Sequence, residues 1–195
     1  MAVEGGTRNL GLLGELRVEA ALVEHGWHPV RLDTAQMASN ADLFAINREK
    51  RVSIQVKTTD SIKQNSRSQW LGFGYATNYL SGKSIFNSKE SPLIADVVVG
   101  VNYQKDQSRF FVMPVAFAEK LCRYHVDFWR SVPRKADKEE RSSSFPIYLC
   151  LNTPRATHHE HDEKIMRNLV SFENRWDVLD VSVDKLHNPR IWKLR

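Results

Sequence analysis

The stretch Ala41–Thr59 reads Ala-Asp-Leu-Phe-Ala-Ile-Asn-Arg-Glu-Lys-Arg-Val-Ser-Ile-Gln-Val-Lys-Thr-Thr. Two short apolar runs, Leu43–Ile46 and Val52–Val56, flank a charged, turn-prone segment, which is the pattern of a β-hairpin. Alternation puts Asp42, Phe44 and Ile46 on one face of the first strand, with Leu43 and Ala45 on the other. In the second strand Ser53, Gln55 and Lys57 alternate with Val52, Ile54 and Val56. Gln55 and Lys57 therefore leave one face of one strand, and Asp42 begins its partner. A carboxylate, an amide oxygen and an ammonium meet at one end of the hairpin.

Working outward, Asn9–Glu24 has helical spacing, with Leu10, Leu13, Val18, Ala21 and Leu22 apolar; Asn9 is the candidate cap and Gly26 the left-handed stop. Gly14-Glu15 lies early in this helix. Trp27–Leu32 reads as a strand, which Pro29 assigns to an edge or a strand start. The loop Asp33–Asn40 leads straight to Asp42 and is expected to rim the site. Ala95–Val101 is nearly continuous in apolar residues, as in a strand buried on both faces, and Phe110–Val115 reads as its neighbour.

Asp42 followed by Gln55-Val56-Lys57 resembles the PD-(D/E)XK nuclease signature, in the variant familiar from Mrr-like restriction endonucleases where Gln replaces the second acid. The Gly14-Glu15 helix, ending at Gly26-Trp27 and followed by a His28–Leu32 strand, is similar to the first helix and strand of archaeal-type Holliday junction resolvases. Ala95–Val99 and Arg109–Pro114 are similar to later strands of bacterial proteins of the superfamily. The resemblance spans roughly Gly11–His125. It implies an α/β, restriction-endonuclease-like fold: a mixed central sheet flanked by helices, with a C-terminal elaboration.

The same resemblance implies a metal-dependent endodeoxyribonuclease. The catalytic set would be Asp42, Gln55, Lys57 and Glu15, with Mg²⁺ (Mn²⁺ as substitute) held by Asp42, Gln55, the Val56 carbonyl and Glu15. Lys57 would orient or help deprotonate the attacking water. Each member also has a plainer explanation. Asp42 and Lys57 could form an ordinary cross-strand ion pair, and Glu15 could be an acid favoured by the helix dipole, with Glu19 its competitor one turn on. The amide of Gln55 binds a cation more weakly than a carboxylate, so the alternatives are a Holliday-junction-type resolvase and a catalytically silent nucleic-acid-binding protein with the same fold.

DNA is the expected partner. Arg48, Lys50, Arg51, Lys63 and Arg67 flank the hairpin as candidate phosphate contacts, and Trp70 is a candidate base-stacking residue. Against these stand a solvated turn and aromatics that cover the core. Thr58, Thr59 and Asp60 could touch phosphate or serve loop hydrogen bonding. Cutting two strands asks for two sites, which a homodimer supplies. The net charge of +5 allows a polyanionic partner and by itself decides little.

With 195 residues the chain reads as a single nuclease-like domain, core about 9–129 and elaboration about 130–195. No apolar run is long enough for a bilayer and no signal-peptide pattern opens the chain. Cys122 and Cys150 suit neither a disulfide framework nor a zinc site, which points to the cytoplasm. Thr58–Lys89 reads as a long excursion with a short extra hairpin, Ala116–Trp129 as a helix, Ser131–Ser144 as a charged connection and Phe145–Leu151 as a strand. Glu160–Trp176 reads as a helix burying Ile165, Leu169, Val170 and Phe172, with Val178–Val183 a last strand. The run His158-His159-Glu160-His161-Asp162 reads as a solvated helix start rather than a metal site, and His125 as a packing residue.

Overall fold

In the computed structural model the described residues are 5–32, 41–60, 69–75, 95–104, 107–132 and 146–195. The loop at 33–40, Lys63, Arg67 and the charged stretch 133–145 lie outside them. In chain order the elements are α1 (Gly5–Glu24), β1 (His28–Arg31), β2 (Leu43–Ile46), β3 (Arg51–Asp60), β4 (Trp70–Tyr75), β5 (Val97–Tyr103), β6 (Arg109–Pro114), α2 (Val115–Ser131), β7 (Pro146–Cys150), α3 (His159–Val170) and α4 (Val183–Leu186). Single 3₁₀ turns occupy Ala156–His158 and Trp176–Asp180.

A five-stranded sheet runs in the order β1-β2-β3-β5-β6. Only β3 and β5 pair in parallel, so the sheet is mixed. The hairpin forms as its alternation dictates: Leu43 faces Ile54 and Ala45 faces Val52, and all four are fully buried. The Asn47 side chain closes the turn by accepting the Glu49 N–H at 3.2 Å, an Asx turn, and the Lys50 N–H at 2.9 Å. β5 lies in the sheet interior, and Val97, Val98, Val99 and Val101 are solvent-free because both sheet faces are covered. β1, with its proline, takes the edge. The sheet flanked by helices is the architecture expected from the sequence.

α1 covers the face of β3 that carries Val52, Ile54, Val56 and Thr58; Val18 and Leu22 reach into the core, and Gly26 (φ 79°) ends the helix. The other face meets α2 and β4. Cys122 stands beside Lys57, the Gly72 N–H donates to Thr59 Oγ1 at 2.8 Å, and Gly100 leaves room for Leu71. Among the described residues no helix is long and apolar enough to cross a membrane.

Several expectations are corrected. α1 begins at Gly5, so Asn9 lies inside it, away from the N-terminal boundary where a cap acts. Leu13 is exposed rather than core-facing. β4 pairs with β7 in a separate two-stranded sheet, and the rest of the expected excursion, 61–68 and 76–89, lies outside the described residues. α3 stops at Val170, which is exposed. The chain then turns through Asn174 (φ 53°) to lie along β6: the Val112 N–H donates to the Phe172 carbonyl at 2.9 Å and the Asn174 N–H to the Phe110 carbonyl at 2.9 Å. That segment covers an otherwise open sheet edge. The expected last strand at 178–183 is instead the end of a 3₁₀ turn leading into α4. Ile165, Leu169, Phe172, Trp176, Val178, Leu179 and Leu186 all join the same core cluster as the N-terminal sheet.

Candidate active site

Asp42 precedes β2 by one residue and is bound on three sides by backbone. Its N–H donates to the Ile54 carbonyl (2.8 Å), its carbonyl accepts the Leu32 N–H (3.0 Å), and its Oδ2 accepts the Val56 N–H (2.6 Å). The carboxylate thus replaces the ladder partner that β2 no longer provides. In an extended strand the carbonyl and N–H of one residue leave on the same edge, so the Val56 carbonyl also faces the Asp42 side. Asp42 lies just beyond the last register pair, Leu43 with Ile54, and the Asp42 N–H bond to the same Ile54 sets Asp42 and Leu43 against one residue on β3. Gln55 is 5 % exposed, and its buried Oε1 has no hydrogen-bond partner.

Electrostatics tie the set together. Burial raises the Asp42 carboxyl above its ordinary range, although the Val56 N–H and the Lys57 ammonium pull the other way. Burial lowers Lys57, opposed by Asp42 and Cys122. Glu15 is raised by burial and then by the negative charge of Asp42, with Arg31 opposing and Glu19 adding to the rise. Two carboxylates raised chiefly by burial, one of them also by the charge of the other, beside a desolvated lysine form a cluster short of positive charge. Glu19, the competitor for the helix role, is taken by Arg31 at 2.8 and 2.5 Å. Arg31 carries no local sequence signal for this position; it reaches α1 only because β1 runs back along it.

The donor set of two carboxylates, an amide oxygen and a carbonyl is all hard oxygen, which suits a divalent ion that keeps several waters. The orphaned Gln55 Oε1 fits such an ion. Among the described residues no group of three or more His, Cys, Asp or Glu could hold a metal ion by itself, so a metal here would rest on Glu15 and Asp42 with the amide and the carbonyl.

The nucleic-acid candidates lie elsewhere. Arg48, Lys50 and Arg51 belong to the turn end of the hairpin, separated from Asp42 by the length of β2, on the order of 13 Å. Lys50 Nζ donates to the carbonyls of Leu179 (2.5 Å) and Val181, and the Arg51 guanidinium lies 3.6 Å from the Phe44 ring centroid. Arg48 is exposed. Trp70 stacks with Arg155, whose guanidinium lies 4.6 Å from the Trp70 ring and 4.5 Å from Trp129. Thr58 is turned under α1 and Thr59 is engaged by Gly72.

The histidine-rich run is corrected. His159 and Glu160 are exposed as expected, but His161 and Asp162 are buried. Asp162 accepts the Arg155 guanidinium through both oxygens at 2.6 Å, and His161 Nδ1 lies 3.0 Å from Asp162 Oδ1. The His161 ring stacks on Phe128 at 3.8 Å and faces His125 at 5.2 Å. The first turn of α3 is thus a packing surface for α2, a role that its polar composition conceals.

No protein-family model matches the chain, and no curated protein matches it. Among solved structures, a bacterial homing endonuclease is similar with a TM-score of 0.40 and 16 % identity, covering 86 % of this chain and 97 % of that one. A likeness at that level identifies no activity.

Proposed function

We propose that this chain is a metal-dependent endodeoxyribonuclease, hydrolysing DNA phosphodiester bonds with Mg²⁺, or Mn²⁺ in its place, held by Asp42, Gln55, the Val56 carbonyl and Glu15. The observation that carries the reading is the buried, unpartnered Oε1 of Gln55, two residues along β3 from the desolvated Lys57 and next in the chain to the Val56 N–H that binds the desolvated Asp42. A buried acceptor left without a donor costs about 1–3 kcal/mol, a debt that a cation at this point removes. When bound, the cation supplies charge for the phosphoryl oxygens and a more acidic water.

The chain's own groups do the rest. Asp42 is held rigid by the Val56 N–H, so little reorganisation accompanies binding. Lys57 is drawn by burial towards its neutral form, so it exchanges a proton more readily than a solvent-exposed lysine. That suits it both to orient or deprotonate the attacking water and to offset phosphate charge. Glu15 adds a second carboxylate, directly or through a water. Cutting both strands of a duplex asks for two such sites, which a homodimer supplies.

One observation favours a second reading. Among the described residues no cluster of three or more His, Cys, Asp or Glu could hold a metal ion, and an amide binds a cation more weakly than a carboxylate, which favours a DNA-binding protein that does not cut. Incubation with linear, supercoiled and four-way-junction DNA in Mg²⁺, Mn²⁺ or EDTA separates the cases. Metal-dependent cutting of linear and supercoiled DNA is the expected result. Cutting of the junction alone makes the chain a resolvase. Salt-dependent binding with no cutting in either metal favours the silent reading, and cutting in EDTA overturns the metal-dependent one.

A further inference from the structure

Among the described glycines, Gly14 on α1 leaves the least room for a side chain. A Cβ at this position would lie 1.8 Å from Thr58 Oγ1 and 2.8 Å from both Thr58 Cβ and Cγ2, far inside ordinary contact. The obstacle cannot swing aside cheaply: Thr58 is β-branched and sits on a strand paired to β5. Its Oγ1 is buried without a hydrogen-bond partner, so the hydroxyl fills space against the helix backbone and makes no polar contact there. The contact is adjacent in sequence to the candidate site on both elements, since Glu15 follows Gly14 and Lys57 precedes Thr58. Val18 and Leu22, which anchor α1 in the core, lie further along the helix, whereas Leu12, Leu13 and Leu16 around Gly14 are 40–45 % exposed. Near Glu15, then, the helix-to-strand distance is set by a bare Cα and not by a layer of side chains.

We propose that Gly14 is a positioning residue: its missing side chain lets α1 settle onto Thr58, and that spacing brings the Glu15 carboxylate to Asp42. The inference rests on the reading of Glu15 and Asp42 as holders of one metal ion. A methyl at this position forces a displacement on the order of 1.5 Å to restore ordinary contact, and the interior transmits such a shift instead of absorbing it. Glu15, next in the chain, moves with the helix.

The test is calorimetric titration of the full chain with Mg²⁺ and Mn²⁺, accompanied by thermal melts. Gly14→Ala should weaken metal binding roughly tenfold, the effect of losing support for a ligand. Adding Thr58→Gly to it should restore affinity to within about twofold, because the clash is then gone. In a Glu15→Ala background Gly14→Ala should change affinity no further, whereas a merely structural role lowers affinity in both backgrounds. Thr58→Val, which keeps the shape and removes the hydroxyl, should leave binding unchanged. Unaltered affinity in Gly14→Ala, or equal losses with and without Glu15, overturns the proposal. If Gly14→Ala does not fold, recovery of both melt and affinity in the Thr58→Gly double variant supports it, and a folded double variant that binds metal no better than Glu15→Ala overturns it. If the wild type binds neither metal, the metal reading fails separately. A crystal structure of Gly14→Ala, or of the double variant if only that folds, then decides the spacing. Displacement of α1 from β3 in the former, or α1 seated on β3 with Glu15 at Asp42 in the latter, supports the proposal, and the opposite result overturns it.

Discussion

Two regions of this protein bury charged groups, and they do so in opposite ways. Between α2 and α3, Asp162 is 1 % exposed, yet its charge is fully matched. Burial alone would raise its carboxyl, but both Arg155 N–H groups, His161 and the Arg155 backbone hold it well below the usual carboxylate range. At the end of the β2–β3 hairpin, burial wins: Asp42 and Glu15 are raised and Lys57 is lowered. A carboxylate that serves structure is given its counter-charge by the chain. The hairpin carboxylates are left short of it, as expected where a ligand is to supply the counter-charge. The two regions should therefore respond to substitution in opposite senses.

The largest effect is expected at the hairpin. Asp42→Asn should abolish metal-dependent cleavage while leaving thermal stability unchanged or raised, because it removes a desolvated charge and can keep an acceptor for the Val56 N–H. Lys57→Ala should lower the cleavage rate by roughly 10²–10⁴ and spare metal affinity. A melt accompanies each assay. A large loss of stability in folded-state melts of Asp42→Asn would mean that the carboxylate is structural, like Asp162, and would erase the contrast.

The reverse is expected of Arg155→Ala. It strands a buried carboxylate and should cost about 3 kcal/mol of stability or more in urea denaturation, with Mg²⁺ affinity unchanged once the protein is folded. A loss below about 1 kcal/mol would show that solvent reaches Asp162.

The regions also differ in their pH dependence. Burial, with help from His161 and Arg155, lowers His125 from 6.5 to about 3. The folded state therefore holds this imidazole neutral while the unfolded chain takes a proton below 6.5. Stability is fully present above that value and falls as pH drops from it towards about 3. The raised carboxylates act in the opposite sense: from the ordinary values of 3.8 for Asp42 and 4.5 for Glu15 up to their folded pKa values, stability declines as pH rises. His125→Phe should flatten the acid-side loss, and Asp42→Asn should flatten the carboxylate contribution. Urea midpoints measured between pH 3 and 7 check both, and an acid-side loss that survives His125→Phe would assign it elsewhere.

The smallest effect separates the turn from the site. Lys50→Ala removes two hydrogen bonds to the 179–181 carbonyls and should cost about 1–2 kcal/mol, with no change in the salt dependence of DNA binding. A slope lower by about one unit would return Lys50 to a phosphate contact.

The sequence by itself determined the parts of this protein that are local. The alternation in Leu43–Ile46 and Arg51–Val56 defined a hairpin and its inward face, and the unbroken valines of 97–101 marked a strand covered on both sides. Pro29 marked an edge and Gly26 a helix end. The placing of Asp42, Gln55 and Lys57 at one hairpin end follows from strand period alone, because side chains repeat every two residues. Only the tertiary structure decided what lies across the chain from each residue. It paired β4 with β7, closed the β6 edge with residues 172–174, buried His161 and Asp162 at a polar helix start, and tied Lys50 to the carbonyls of Leu179 and Val181. It also pressed Gly14 onto Thr58. The physical reason is that periodicity records which face of its own element a side chain takes. The partner on that face is selected by packing between segments far apart in sequence, and no local pattern carries it.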